Sequence, residues 1–147
     1  RKARDSVAGA GVGLVRQSGD SPAPTRLGLF EGLNVRLGLG TGDIDTEARN
    51  AEAARLGFGP IEESAELTAE GKTIILFHGN NIPLFRQTVA SGRYDYIVKG
   101  HTHIFENYLS GTTRVINPGA LYAAEEFSVA ILDPATGRVE RIRVEAD

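Results

Sequence analysis

The chain has 147 residues, of which 41% are hydrophobic and 24% are charged, and it contains no cysteine. This length and composition predict one soluble globular domain, residues 1–147, and the lack of cysteine excludes disulfides and thiolate metal sites. A formal net charge of −3 gives no broad attraction to nucleic acid or anionic membranes, and with no membrane-spanning run or signal peptide a cytoplasmic location is expected.

The first part of the chain is predicted to alternate short strands and helices. Val35, Leu37 and Leu39 alternate with polar or small residues, which is the period of a strand. The run 46–56 is rich in Ala, Glu and Arg and predicts a helix that ends at Gly57. The predicted elements of this part are the end of a helix at 6–8, a strand at 12–15, a short helix at 25–32, a strand at 35–39 and a helix at 46–56.

The second part begins with two predicted strands, a helix and a third strand, and continues as strands alone. Pro83 suits the first turn of the helix and Gly92 suits its end. The predicted strands are 61–67, 72–77, 94–99, 105–109, 113–116, 127–132 and 138–144. Alternating elements followed by a meander of strands predict an α/β sandwich with two sheets.

The three histidines of the chain all follow strand-like runs. His78 comes directly after the run 72–77, and His101 and His103 follow the run 94–99. Ligand sites in open α/β sheets form outside the carboxyl ends of the strands. Imidazoles gathered at such an edge indicate a metal site.

Two aspartates occupy the same kind of position. Asp20 and Asp43 each follow a strand-like run and adjoin glycine, although either one alone is as readily a turn residue or a helix cap. Mixed carboxylate and imidazole ligands suit Mn, Fe, Zn, Ni or Co. A carboxylate can bridge two such ions, and a pair of metals activates water and stabilises an in-line displacement at phosphorus.

Four short motifs resemble those of the calcineurin-like metallophosphoesterases, in particular the small prokaryotic phosphodiesterase branch, to which the retromer scaffold subunit also belongs. They are Gly19-Asp20, His78-Gly79, Gly100-His101-Thr102-His103 and Asn117-Pro118-Gly119-Ala120. The last is similar to an Asn-Pro-Gly-Ser turn of that branch. The resemblance implies a four-layer α/β/β/α sandwich with metals at the sheet edge.

The resemblance also implies which residues hold the metals. One ion would take Asp20, Asp43, His78 and His101, and a second would share Asp20 and use His103. Asp20 and His101 are the expected catalytic residues. The ions would be two divalent metals, such as Mn, Fe, Zn or Ni. The expected substrate is a small phosphodiester or phosphomonoester, and the oligomeric state is left open.

Three departures from the family pattern weigh on activity. The first family motif, Asp-x-His, is absent, Asp43 stands where the family has asparagine, and Ile44 stands where many larger members have a proton-donating histidine. We therefore expect an additional N-terminal strand in the natural protein, without which the printed chain would be poorly stable and would hold at most one metal firmly. The alternative function is a catalytically weak or inactive scaffold that binds protein partners.

Overall fold

The computed structural model describes residues 15–17, 35–37, 46–57, 64–121 and 123–145, with side chains from Asn50 onward. The elements predicted at 6–8 and 25–32, and the candidate ligands Asp20 and Asp43, lie outside the described residues. The described elements are β1 (Val15–Gln17), β2 (Val35–Leu37), α1 (Thr46–Arg55), β3 (Ser64–Ala69), β4 (Lys72–Phe77), α2 (Ile82–Ser91), β5 (Tyr96–Val98), β6 (Phe105–Ser110), β7 (Thr113–Pro118), β8 (Ser128–Asp133) and β9 (Arg138–Arg143).

The main sheet of the described residues is mixed, with strand order β3-β4-β5-β7-β6. Its three inner strands β4, β5 and β7 are parallel, and Ile97 of β5 lies between Ile75 of β4 and Val115 of β7. The outer strands β3 and β6 are antiparallel to their neighbours. A parallel pair β1–β2 and an antiparallel pair β8–β9 form separate ladders. The predicted mixed α/β class is therefore confirmed.

The order of the last strands differs from a simple meander. Strand β7 lies between β5 and β6. After β5 the chain therefore first forms the edge strand β6 and then returns to form β7 next to β5. Val115 and Ile116 of β7 are buried, whereas Tyr108 and Leu109 of β6 are exposed. Inner parallel strands are covered on both faces and need apolar side chains on both faces. Of β6 and β7, only β7 has such side chains, so β7 takes the inner position.

Both faces of the main sheet are covered by other elements. Helix α2 packs on one face through Phe85 and Val89, and the hairpin β8–β9 packs on the other through Leu132 and Val139. The buried residues under α2 are Ile75, Phe77, Tyr94, Ile97 and Val115, and those facing the hairpin are Ile74, Leu76, Tyr96 and Ile116. This burial on both faces makes β4, β5 and β7 the rigid part of the described fold.

Helix α2 is bounded by local signals, of which the positions of Pro83 and Gly92 were predicted from the sequence. The Asn81 side chain accepts a hydrogen bond from the Leu84 amide at 3.1 Å and caps the start of the helix. Pro83 lies in the first turn, and Gly92 ends the helix in the left-handed conformation at φ 65°. Only glycine adopts that conformation without strain. Of the two described helices, neither has the length and apolar character needed to cross a membrane.

Candidate metal centre

The carboxyl ends of β4 and β5 bring two histidines to one edge of the main sheet. His78 directly follows β4, and His101 follows β5 after Lys99 and Gly100. The Gly100 amide donates to the His78 carbonyl at 2.8 Å, so the backbone pairing of β4 with β5 continues past the ends of the two strands. The parallel register therefore sets the two histidines side by side, as expected of a site at this edge.

The two imidazole rings meet through their nitrogens. His101 Nδ1 lies 3.2 Å from His78 Nε2, and the rings are tilted by 76° with centroids 5.0 Å apart. Two imidazole nitrogens each about 2.1 Å from one ion stand about 3.0 Å apart at an octahedral angle and about 3.4 Å apart at a tetrahedral angle. The observed separation is that of a hydrogen bond between the two rings. It also lies between these two values, so the distance is compatible with adjacent ligands of one divalent cation.

The environments of the two rings differ. His78 is buried, with 4% of its surface exposed, and its backbone is held by the adjoining strand. His101 is exposed and has a backbone φ of 72°, and His103 has a φ of 62°. A side chain in the left-handed region costs about 1–3 kcal/mol, and such strain collects in segments whose shape serves a function. The loop 100–103, which is exposed at His101 and Thr102, therefore carries the backbone strain of the site.

His103 is oriented by the backbone carbonyl of Ala123. Its Nδ1 atom lies 3.1 Å from the carbonyl oxygen of Ala123. A carbonyl can only accept, so Nδ1 donates and the neutral ring carries its lone pair on Nε2. Metal-binding histidines are commonly held in this way, with one ring N–H donated to a carbonyl and the other nitrogen turned to the ion.

Asn117 connects strand β7 to the loop that carries His101 and His103. The side chain is fully buried. Its Nδ2 donates to the Gly100 carbonyl at 3.1 Å and to Thr102 Oγ1 at 3.0 Å, and its Oδ1 accepts from the Gly119 amide at 3.0 Å. Every hydrogen that the amide group can donate is thus used within the site.

The turn after Asn117 is closely packed. Gly119 has φ 83°, and a Cβ atom there would collide with Ser128 Oγ. That hydroxyl donates to the Pro118 carbonyl at 2.8 Å. Position 119 therefore requires glycine both for its backbone conformation and for the space beside β8.

Lys99 lies between β5 and the histidine loop and is engaged by neighbouring side chains. Its Nζ is 3.0 Å from Glu106 Oε2 and 4.5 Å from the centre of the Phe85 ring. Its Cβ is 3.2 Å from the position that a Cβ would take at Gly79. The lysine charge next to the histidines is therefore balanced by a carboxylate on β6.

The predicted site residues thus fall into two groups. The structure places His78 and His101 in contact and His103 on the same loop as His101, whereas Asp20 and Asp43 lie outside the described residues. The metal-ligand role of all five stays a prediction. Within the described ranges, no three His, Asp or Glu residues gather in a cluster suited to a metal ion. No signal in the sequence pointed to the Ala123 carbonyl, since every residue carries a carbonyl. The sequence pointed to Asn117 only through its motif.

Comparison with known proteins identifies a related family. The model of the calcineurin-like phosphoesterase superfamily domain matches residues 1–137. A search of curated proteins finds no significant match.

Solved structures share the fold at low sequence identity. An archaeal phosphodiesterase is 22% identical, with a TM-score of 0.90 over 98% of this chain and 90% of its own. Vps29 from Entamoeba histolytica, complexed with zinc, is 17% identical, with a TM-score of 0.66 over 95% of this chain and 86% of its own. A predicted phosphoesterase from Streptococcus pneumoniae is 17% identical, with a TM-score of 0.60 over 97% of this chain and 89% of its own.

The family match includes the loop 100–103 and Asn117 as well as the strands that position them. Because it extends over residues 1–137 of the 147, the chain belongs to the calcineurin-like phosphoesterase superfamily.

Proposed function

We propose that the protein is a metal-dependent phosphoesterase that hydrolyses phosphodiesters. The observation that carries the proposal is the 3.2 Å separation of His101 Nδ1 and His78 Nε2, which suits adjacent ligands of one cation. Membership of a phosphoesterase superfamily that generally uses divalent metals supports it. The similarity in fold to an archaeal phosphodiesterase, at a TM-score of 0.90, agrees with it.

The residues that would hold the ions follow from the geometry and the family motifs together. His78 and His101 would bind one ion, with Asp20 and Asp43 as its carboxylate ligands, and Asp20 and His103 would bind the second. Divalent ions bound there would supply Lewis acidity toward the phosphoryl oxygens and lower the pKa of water. The contribution of the chain is to hold these ligands in fixed positions at the sheet edge.

The chain itself also limits the range of substrates. Ile44 stands in the place where many larger family members carry a proton-donating histidine, and an isoleucine cannot protonate a leaving group. Substrates whose leaving oxygen departs readily as an anion are therefore expected to react faster than simple alkyl esters. Small phosphodiesters with aryl leaving groups are the first to examine.

The direct test is hydrolysis of bis(p-nitrophenyl) phosphate by the purified chain. We expect hydrolysis with Mn²⁺, its loss in EDTA and its return when Mn²⁺ is restored. His101→Gln should lower kcat/KM by about 100-fold or more, since that ring is proposed as a direct ligand. Thr113→Val is the matched control, because Thr113 is buried at the far end of β7 and bonds to the Tyr94 carbonyl at 2.7 Å. A rate of hydrolysis that is unchanged by EDTA and by His101→Gln would refute the proposal.

A second function, a scaffold that binds protein partners, is favoured by two observations. Structures of Vps29 share the fold, and one of them was solved with zinc. Large apolar side chains are also exposed on the described surface, among them Ile104 at 65% and Leu109 at 60%. Firm Mn²⁺ binding without hydrolysis of any aryl phosphodiester would favour the scaffold over the enzyme.

A further inference from the structure

We propose that Asn117 is a positioning residue, which holds the loop 100–103 so that His101 stays in contact with His78 and thereby sets the affinity of the metal site. The inference rests on the proposed function in one respect, since it takes these histidines as metal ligands. The contact between the two rings can be measured without any metal, so the two claims can be tested separately.

The first step of the argument is the asymmetry between the two rings. His78 is 4% exposed and directly follows the buried end of β4, so its position is determined by the main sheet. His101 lies on an exposed loop and adopts a left-handed backbone conformation at φ 72°. A non-glycine residue leaves that region readily unless its surroundings prevent it. The contact therefore depends on what restrains the loop.

The second step is that Asn117 supplies this restraint from the core. Its side chain has no exposed surface, and it donates to Gly100 O at 3.1 Å and to Thr102 Oγ1 at 3.0 Å. These two acceptors lie directly before and after His101 in the chain. One rigid amide thus fixes both sides of the residue whose ring must meet His78.

The third step is that the chemistry requires an amide at this position. The Nδ2 group provides two donors, and Oδ1 accepts from the Gly119 amide at 3.0 Å. Aspartate would keep that acceptor and lose both donors to the loop, whereas leucine would lose all three bonds. Asn117→Asp therefore separates the bonds that hold the loop from the bond that closes the turn.

The test compares Asn117→Ala and Asn117→Asp with the matched control Thr113→Val, which removes a buried hydrogen bond from the same strand without touching the loop. In the metal-free chain, nuclear Overhauser contacts between the rings of His78 and His101 should be present in the wild type and in Thr113→Val, and lost in both Asn117 variants. Calorimetric titration with Mn²⁺ should show affinity about 10–100-fold lower in both Asn117 variants, the usual effect of losing a residue that orients metal ligands.

Ring contacts and Mn²⁺ affinity that survive in Asn117→Ala would overturn the proposal. So would equal losses in Thr113→Val, because they would indicate a general structural role. A wild type that binds no Mn²⁺ would refute the proposed function, and the ring contacts would then decide the role of Asn117 alone. If Asn117→Ala fails to fold, Asn117→Asp decides the matter, because it loses both donors to the loop and keeps the acceptor for the Gly119 amide. Unchanged ring contacts in that variant would overturn the proposal.

Discussion

His101 Nδ1 and His78 Nε2 lie 3.2 Å apart across the ends of two adjacent parallel strands, β5 and β4. Register brings the two residues to the same edge of the sheet, because Leu76 pairs with Val98 and the Gly100 amide bonds to the His78 carbonyl beyond the strands. Neither ring needs a long or flexible backbone to reach the other. The position of His78 is therefore set by the strands of the main sheet, and that of His101 by the loop 100–103.

Replacement of His78 should weaken metal binding while the fold is retained. His78→Gln keeps a polar side chain in a buried position but removes the ring nitrogen that faces His101, so Mn²⁺ affinity should fall by more than about tenfold. Isothermal titration calorimetry measures the change, and Gln87→Ala on the exposed side of α2 is the control. Equal Mn²⁺ affinity in His78→Gln and the wild type would show that His78 is not a ligand.

Gly119→Ala should destabilise the protein more than an alanine at another left-handed glycine. Gly119 (φ 83°) and Gly111 (φ 61°) share the backbone strain, but only at Gly119 would a Cβ collide with Ser128 Oγ. Urea unfolding should show a loss of about 1–2 kcal/mol for Gly111→Ala, and a further loss of about 1–3 kcal/mol for Gly119→Ala from overpacking.

The double variant Gly119→Ala with Ser128→Ala tests the cause of that further loss. Removal of the Ser128 hydroxyl takes away the colliding atom, so the two substitutions should be less destabilising together than the sum of each alone. Strict additivity of the two changes in unfolding free energy would mean that the clash is not the reason for the glycine.

Tyr94 should ionise at higher pH than an ordinary tyrosine. Its hydroxyl donates a hydrogen bond to Glu66, and this bond, followed by burial, raises the pKa of Tyr94 above the usual value of 10.0. Because the folded state then holds the proton more tightly, its stability should decrease as the pH rises from about 10 through the raised pKa. Titration of the tyrosine ring carbons by NMR measures the pKa.

The variant Glu66→Ala provides the comparison for Tyr94. It removes the hydrogen-bond acceptor and the nearby negative charge, so the pKa of Tyr94 should move back toward its ordinary value. Tyr94→Phe should in turn reduce the loss of stability at alkaline pH. A Tyr94 pKa that does not respond to Glu66→Ala would mean that burial alone causes the shift.

Glu126 should show the opposite shift. The Arg143 guanidinium, which donates to Glu126 Oε2 at 3.2 Å, is the main cause that lowers the pKa of Glu126 below 4.5, and Arg141 adds to it. The ion pairs of Glu126 with the two arginines therefore stabilise the folded state above the ordinary pKa of a glutamate. This stabilisation is lost as the pH falls through the lowered pKa of Glu126. Because the group is exposed, 1 M NaCl should bring the pKa back up, which carboxyl-carbon NMR can follow. A pKa insensitive to both salt and Arg143→Ala would contradict this cause.

Local signals in the sequence were sufficient for the elements around the site. Pro83 and Gly92 each act within one turn of helix, so the start and the end of α2 were predictable from neighbouring residues. The position of His78 and His101 beyond apolar runs was equally informative, because parallel strands place their carboxyl ends at one edge. These features need no knowledge of distant contacts.

Other features depend on contacts between parts of the chain that are distant in sequence. The insertion of β7 between β5 and β6 is decided by which strand can be buried on both faces, and no short window of sequence contains that comparison. The hydrogen bond between His103 and the Ala123 carbonyl spans 20 residues and involves a backbone atom. The left-handed conformation of His101 was likewise unpredictable, because the groups on either side of it, Gly100 O and Thr102 Oγ1, accept hydrogen bonds from Asn117 on another strand.

The central claim is that His78 and His101 bind one divalent cation, and a crystal structure of the chain with Mn²⁺, recorded with anomalous scattering, tests it most directly. The account predicts an anomalous peak about 2.0–2.3 Å from both His78 Nε2 and His101 Nδ1, with carboxylate oxygens completing the ligands. A peak that contacts only one of these rings, or that lies elsewhere on the molecule while the two rings remain bonded to each other, would contradict it.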